Sequence, residues 1–158
     1  DGAWGASGTV DAGLLSALMR EPYFHQPAPK STGRDLFHME WLDAHLAGFT
    51  HLAAADVQAT LTALTAETIG RAIRDEGVAV DAVYVCGGGV HNALLMQNLQ
   101  ELLPCTVNST ASVGVDPDYV EAMAFAWLAK QCLEGKPGNL VDVTGAKGPR
   151  ILGAIYQA

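Results

Sequence analysis

Val83-Tyr84-Val85-Cys86-Gly87-Gly88-Gly89-Val90-His91-Asn92 is the stretch that decides the fold. An apolar segment empties into three glycines and Asn92 then opens a helical pattern, so the run reads as strand, turn and helix start. Three successive glycines leave no side chain between main chain and ligand and permit positive φ. A planar base, a ribose or a phosphate can therefore approach the backbone closely, with the N–H groups of the next helix facing the same crevice. The run lacks the lysine and Ser/Thr of a P-loop and the spacing of a dinucleotide fingerprint. On its own it fits a ligand-binding turn and a bare tight turn equally.

Working outward, residues 80–86 form a nearly continuous apolar run, which predicts a strand covered on both faces, as in parallel sheets. Residues 92–103 read as the following helix, stopped by Pro104, and residues 105–109 as a brief second strand. After a loop at 110–117, a helix is predicted over 118–133 with Val120, Met123, Ala124, Trp127 and Leu128 facing inward. Upstream, Asp56 is expected to cap a long helix whose stripe of Val57, Leu61, Leu64, Ile69 and Ile73 runs up to Gly77 and packs on the sheet. Helix, strand, helix, strand, helix is an α/β succession with a mostly parallel sheet. Residues 9–20 predict an amphipathic helix carrying Val10, Leu14, Leu15, Leu18 and Met19. Residues 35–47 predict another, with Leu36, Trp41, Leu42 and Leu46 apolar. Between them lies a loop with aromatic anchors, two prolines and the cluster Lys30, Ser31, Thr32, Gly33 and Arg34.

At 158 residues and 49% hydrophobic composition the chain is long enough for a real core. Its formal net charge of -8, with no basic stripe, argues against a nucleic-acid backbone as partner. Phosphate contacts would have to be local. No apolar run approaches the about 20 residues needed to span a bilayer, and no signal-peptide pattern opens the chain. Cys86, Cys105 and Cys132 are widely spaced and odd in number, as expected of reduced, buried thiols in a cytoplasmic protein. The chain opens Asp1-Gly2-Ala3-Trp4 rather than with Met, which predicts a fragment of something longer.

Cys86 beside the glycines, with His91 close by, has the residue types of a cysteine hydrolase. A strand position among apolar neighbours, however, is not the electropositive, partly open setting that a nucleophilic thiol needs. His25, His38, His45, His51 and His91 form no HxxxH or HxH pair with cysteine support, so no metal ligands are assigned. Asp116-Pro117-Asp118 reads as a turn plus helix N-cap. Glu121 sits in the first turn of the last long helix. There the helix dipole favours a carboxylate with or without a ligand, and a carboxylate facing a crevice also accepts hydrogen bonds from sugar hydroxyls. Two cations, two hydroxyls and a glycine at residues 30–34 suit a phosphate or a sugar, and suit a solvated loop as well.

Taken together, Gln26-Pro27-Ala28-Pro29-Lys30-Ser31-Thr32-Gly33-Arg34, Asp56-Val57-Gln58-Ala59-Thr60-Leu61, Val85-Cys86-Gly87-Gly88-Gly89, Glu121-Ala122-Met123-Ala124-Phe125-Ala126-Trp127-Leu128-Ala129 and Pro137-Gly138-Asn139-Leu140 with Val143-Thr144-Gly145-Ala146 resemble the C-terminal part of the anhydro-N-acetylmuramic acid kinase family. The resemblance covers essentially the whole chain. It implies membership of the sugar kinase, Hsp70 and actin superfamily, in which two RNase H-like lobes close over a nucleotide and a sugar. This chain would be most of the second lobe, an actin-like ATPase lobe, with residues 1–55 a helical and loop insertion and 56–158 the nucleotide-binding α/β core.

The resemblance further implies that Gly87, Gly88 and Gly89 match the adenosine motif, that Asn92 stands at the adjoining helix start, and that Glu121 matches a carboxylate near the anhydro-sugar. ATP and Mg2+ are the implied cofactors. The family reaction opens 1,6-anhydro-N-acetylmuramic acid with water and phosphorylates O6, in cell wall recycling. The aspartate base and the Gly-rich phosphate loop lie before the matched region, so no catalytic residue is assigned here and the chain alone is expected to be inactive. A homodimer is implied for the full-length protein. The alternative is a stand-alone nucleotide-binding or interaction module without catalysis, with Phe125 and Trp127 buried at a dimer face.

Overall fold

A computed structural model describes residues 1–156. The sheet is α/β in its wiring. β1 (Ala82–Val85) pairs in parallel with β2 (Thr106–Ser109), in the register Val83 to Val107 and Val85 to Ser109. Parallel strands need a long crossover, and α5 (Ala93–Leu102) supplies it. This is the make-up of a partial actin-like ATPase lobe, helices packed on a parallel sheet.

The long helix α4 (Ala54–Asp75) is the spine. Ala66 at its centre is fully buried and packs with Leu99, Leu103 and Val107, and Ile73, Val83, Val85 and Leu95 close around them. The helix therefore lies on the sheet, as its stripe predicted. Farther toward its N-terminus, Leu64 joins Leu14 and Leu18 of α2 (Ala12–Leu18) in a second cluster that takes in Trp41, Leu46 and Phe49. One helix thus carries both clusters. The short α1 (Ala3–Ala6) comes close to α4 and α5 because Gly5 faces them: a Cβ there would meet Leu94 Cδ2 at 3.2 Å and Thr62 Oγ1 at 3.4 Å.

Several expectations are corrected. The helix expected over 9–20 is confined to Ala12–Leu18, because the Asp11 carboxylate accepts from Leu14 N at 2.7 Å and caps it there, leaving Val10 exposed. The helix expected over 35–47 is α3 (Met39–Leu46), capped by His38 Nδ1 accepting from Trp41 N. Asp56 does not cap α4. The cap is Ala53, and Asp56 lies inside the first turn, where its Oδ1 accepts from Thr9 N at 2.7 Å. Its carboxylate is used to tie the incoming chain to the helix. Ile69 is exposed, and the buried face of α4 is instead made of small residues, Ala59, Thr60, Thr62, Ala66 and Gly70, besides Leu64.

The strand is not covered on both faces. Val83 and Val85 point to α4 and α5, while Tyr84 is 48% exposed and Cys86 is exposed, so the thiol is not the buried hydrophobe expected. The last long helix, α6 (Val120–Leu133), buries no residue, and Met123 and Trp127, expected inside, are exposed. Apart from Glu121, Lys130 and Gln131 its sequence is apolar and its apolar residues are not confined to one side, so its composition marks no inward face. A short α7 (Val141–Thr144) follows.

Candidate functional site

The glycine turn is built from the end of β1. Gly87 adopts φ 76°, ψ -175°, a conformation essentially restricted to glycine, and so turns the chain out of the sheet. A tight 3-10 turn over Gly88–His91 follows, and Asn92 then caps α5, its Oδ1 accepting from Leu95 N at 3.1 Å. Strand, turn and Asn-capped helix stand as the sequence predicts. A Cβ added at Gly87 or Gly88 would meet nothing within 4 Å, and one at Gly89 only Leu95 Cδ2 at 3.6 Å. The turn is a bare main-chain shelf open to one side.

A second segment is fastened to this shelf. Gly87 N–H donates to the Pro117 carbonyl at 2.8 Å, and His91 Nε2 lies 2.8 and 3.0 Å from the two carboxylate oxygens of Asp118. Asp116 Oδ1 accepts from Asp118 N at 3.0 Å, an Asx turn. Asp116-Pro117-Asp118 is therefore the turn expected but not the cap, since α6 begins after Tyr119 with no side-chain cap. Glu121 follows in the first turn of α6, exposed. The fold thus brings the glycines and Asn92 together with the start of the helix bearing Glu121. On the opposite side, the Asp1 carbonyl accepts from Ala93 N at 3.3 Å, and Gly2 (φ 84°) sits so close to Asn92 that a Cβ there would overlap its amide.

The loop of residues 30–34 lies elsewhere. Lys30 Nζ donates to the Tyr23 and Phe24 carbonyls, each at 3.1 Å, and rests 5.1 Å from the Tyr23 ring centroid. The Gly33 carbonyl accepts from Leu36 N and Phe37 N, holding a turn. Arg34 borders a cleft with Phe37, Trp41 and Leu42, and Ser31 one with Pro29, Val143 and Thr144. A further cleft of about 420 Å³ places Lys30 with Phe24, Arg71 and Asp75. None of these clefts includes Gly87, Asn92 or Glu121. Thr32 is exposed.

Among the described residues no group of three or more His, Cys, Asp or Glu is placed to hold a metal. Remote from the site, hydrogen bonding by its own backbone N–H, with His38 at 2.8 Å as the lesser cause, holds the Glu40 carboxyl below its ordinary range. The His91–Asp118 pair was not legible in the sequence, because 27 residues separate its members and neither is distinguished by local pattern.

Comparison with known proteins decides the family. The sequence profile described as anhydro-N-acetylmuramic acid kinase matches residues 1–158, the whole chain. The chain belongs to the anhydro-N-acetylmuramic acid kinase family. It is 57% identical over 159 residues to the anhydro-N-acetylmuramic acid kinase of Pseudomonas syringae pv. tomato, covering 100% of this chain and 44% of that protein. To those of Pseudomonas putida and Burkholderia cenocepacia it is 55% and 54% identical, with 44% and 42% of their lengths covered. The chain therefore spans less than half the length of the curated relatives it matches. No helix among the described residues is long and apolar enough to cross a membrane.

Proposed function

We propose that this chain is the nucleotide-side part of an ATP-dependent anhydro-N-acetylmuramic acid kinase that acts in peptidoglycan recycling. The observation that carries the reading is the family match over every residue, with an unobstructed glycine shelf at the end of a parallel strand, where α/β folds receive ligands. In the reaction, water adds to C1 of the 1,6-anhydro sugar, the C1–O6 bond breaks, and O6 takes the γ-phosphoryl group of ATP. The products are N-acetylmuramic acid 6-phosphate and ADP.

Within this scheme Gly87, Gly88 and Gly89 carry the adenosine on main chain, Asn92 fixes the start of the helix beside it, and Glu121 accepts hydrogen bonds from sugar hydroxyls. Of the loop from Lys30 to Arg34, Lys30 is held by the Tyr23 and Phe24 carbonyls, which leaves Arg34 with Ser31 and Thr32 to contact phosphate or sugar when the rest of the enzyme is in place. The base that activates water is supplied by the rest of the enzyme. Among the described residues no group of three or more His, Cys, Asp or Glu is gathered for an ion, and magnesium would be held mainly by the nucleotide phosphates and the rest of the enzyme. Phosphoryl transfer depends on positioning and charge stabilisation, so a chain lacking half of the site should not turn over. The full-length enzyme is a cytoplasmic homodimer that takes a small amino sugar.

A coupled assay tests this directly. The full-length protein should release ADP only when ATP and 1,6-anhydro-N-acetylmuramic acid are both present, and the 158-residue segment should release none. A folded full-length protein without sugar-dependent ADP release overturns the reading and leaves a nucleotide-binding module in its place.

A further inference from the structure

We propose that His91 and Asp118 are a pair of positioning residues that lock the glycine shelf to the start of α6, so that nucleotide side and sugar side are held in one geometry. The inference rests on the functional reading above. The shelf is tied at both of its ends. At its entry, Gly87 N–H bonds to the Pro117 carbonyl at 2.8 Å; at its exit, the His91 ring bonds to both oxygens of Asp118 at 2.8 and 3.0 Å. Gly88 and Gly89 hang between these two points with no side chain of their own to steady them. The partner loop is itself fixed, because Asp116 accepts from Asp118 N.

General stability is a poor explanation for the pair. Its side chains are 54% and 55% exposed, and exposed ion pairs contribute little to folding. What it does have is position, three residues before Glu121 on one side and two residues after Gly89 on the other. With His91 released, the turn keeps its internal bonds from Val90 N to the Gly87 carbonyl and from Asn92 N to the Gly89 carbonyl, but only the Gly87–Pro117 bond still ties it to the loop before α6, so the glycine main chain can shift against the start of that helix. Misplacement of a supporting group is felt in transition-state alignment even where no contact to substrate is lost.

The test uses the full-length enzyme carrying His91→Ala, Asp118→Ala, the double change, and His91→Gln, whose amide N–H reaches where Nε2 stands. Each alanine variant should raise the KM for ATP by about two- to fivefold, the span expected of one exposed charge-assisted contact. The double variant should be no worse than either single one, since both remove the same interaction. His91→Gln should restore the KM for ATP to within about twofold. Unchanged KM in both alanine variants, or effects that multiply in the double variant, overturns the pair. Amide hydrogen exchange at residues 88–91 reads the same tie without substrate: it should be several-fold faster in Asp118→Ala. Unchanged exchange overturns the inference whatever the activity, whereas faster exchange in a protein with no sugar-dependent ADP release sinks the functional reading and leaves the lock standing.

Discussion

The three glycines separate a ligand shelf from a mere turn when each is replaced by alanine in the full-length protein. Gly87 has φ 76°, ψ -175°, and nothing lies within 4 Å of a Cβ built there, so Gly87→Ala meets no clash and its cost is purely conformational. That backbone region costs a non-glycine residue about 1–3 kcal/mol. At about 2–4 °C per kcal/mol for a unit of 150–250 residues, and less in the longer full-length protein, the melting temperature should fall by up to roughly 12 °C. Gly88 is different. Its φ lies outside the positive range and its Cβ also meets nothing, so alanine there should be neutral or stabilise by up to about 1 kcal/mol through the unfolded chain. The empty space beside Gly88 is where a base would lie against the main chain. Gly88→Ala should therefore keep or raise the melting temperature while raising the KM for ATP by about tenfold, the equivalent of roughly 1.4 kcal/mol of lost contact. Thermal unfolding without ligand, followed by steady-state kinetics across ATP concentrations, reads both quantities. A Gly88→Ala enzyme with unchanged KM for ATP would falsify the shelf and return the run to a plain tight turn; an unshifted melting temperature in Gly87→Ala would refute the conformational reasoning.

Glu121→Gln should leave the melting temperature unchanged, since the carboxylate is exposed in the first turn of α6, and should raise the KM for the sugar rather than for ATP. Leu14→Ala and Leu99→Ala, each emptying a fully buried position in one of the two clusters, should each cost about 2–5 kcal/mol in denaturant unfolding; a loss below 1 kcal/mol would mean the clusters are not the core. Lys30→Ala removes the strut to the Tyr23 and Phe24 carbonyls and should speed proteolysis within residues 26–34. Arg34→Ala should leave proteolysis unchanged and raise a substrate KM, and unchanged kinetics would make the loop structural. Because the folded pKa of Glu40 is depressed, its small contribution to stability is present above the ordinary carboxylate range and lost as pH falls through the lowered value. Its carboxyl should titrate below the ordinary glutamate range in an NMR titration, and His38→Ala should move it part of the way back.

What the sequence made legible was local chemistry. Strand, glycine turn and Asn-capped helix over residues 82–102 follow from apolar run, φ freedom and an amide acceptor, all within about 20 residues of one another. Leu14 and Leu18 declared the inner face of α2 by spacing alone. What stayed hidden depends on distant partners. Asp56 has the residue type of a cap, but whether its carboxylate serves its own helix or Thr9, 47 residues away, is decided by how the chain folds back. Likewise Lys30 looks like a free cation in sequence and is occupied by two carbonyls in the fold. The His91–Asp118 pair belongs to the same class, created where β1 ends and α6 begins.

Exposed apolar surface explains why α6 was expected to face inward and does not. Scaling gives a folded monomer of this mass about 7,600 Å² of accessible surface; the chain shows 10430 Å². Part of the difference is plain to see: Met123, Phe125, Trp127 and Leu133 stand exposed on α6, Leu152 and Ile155 of the tail lie beside Phe125 and Leu133, and Tyr84 marks a bare sheet face. A helix apolar on all sides is stable when surrounded, and surface of this kind marks a place where something else packs. The relatives carry more chain outside the matched 44% than within it, enough to supply that cover. On the function proposed above, Glu121 would be held against a sugar only as firmly as α6 is held. Leu128 and Cys132 rest on the tail near Gly138 and Gly153, but no residue of α6 is fully buried, so at its N-terminal end the ties from Gly87 to Pro117 and from His91 to Asp118 set its placement relative to the glycine shelf.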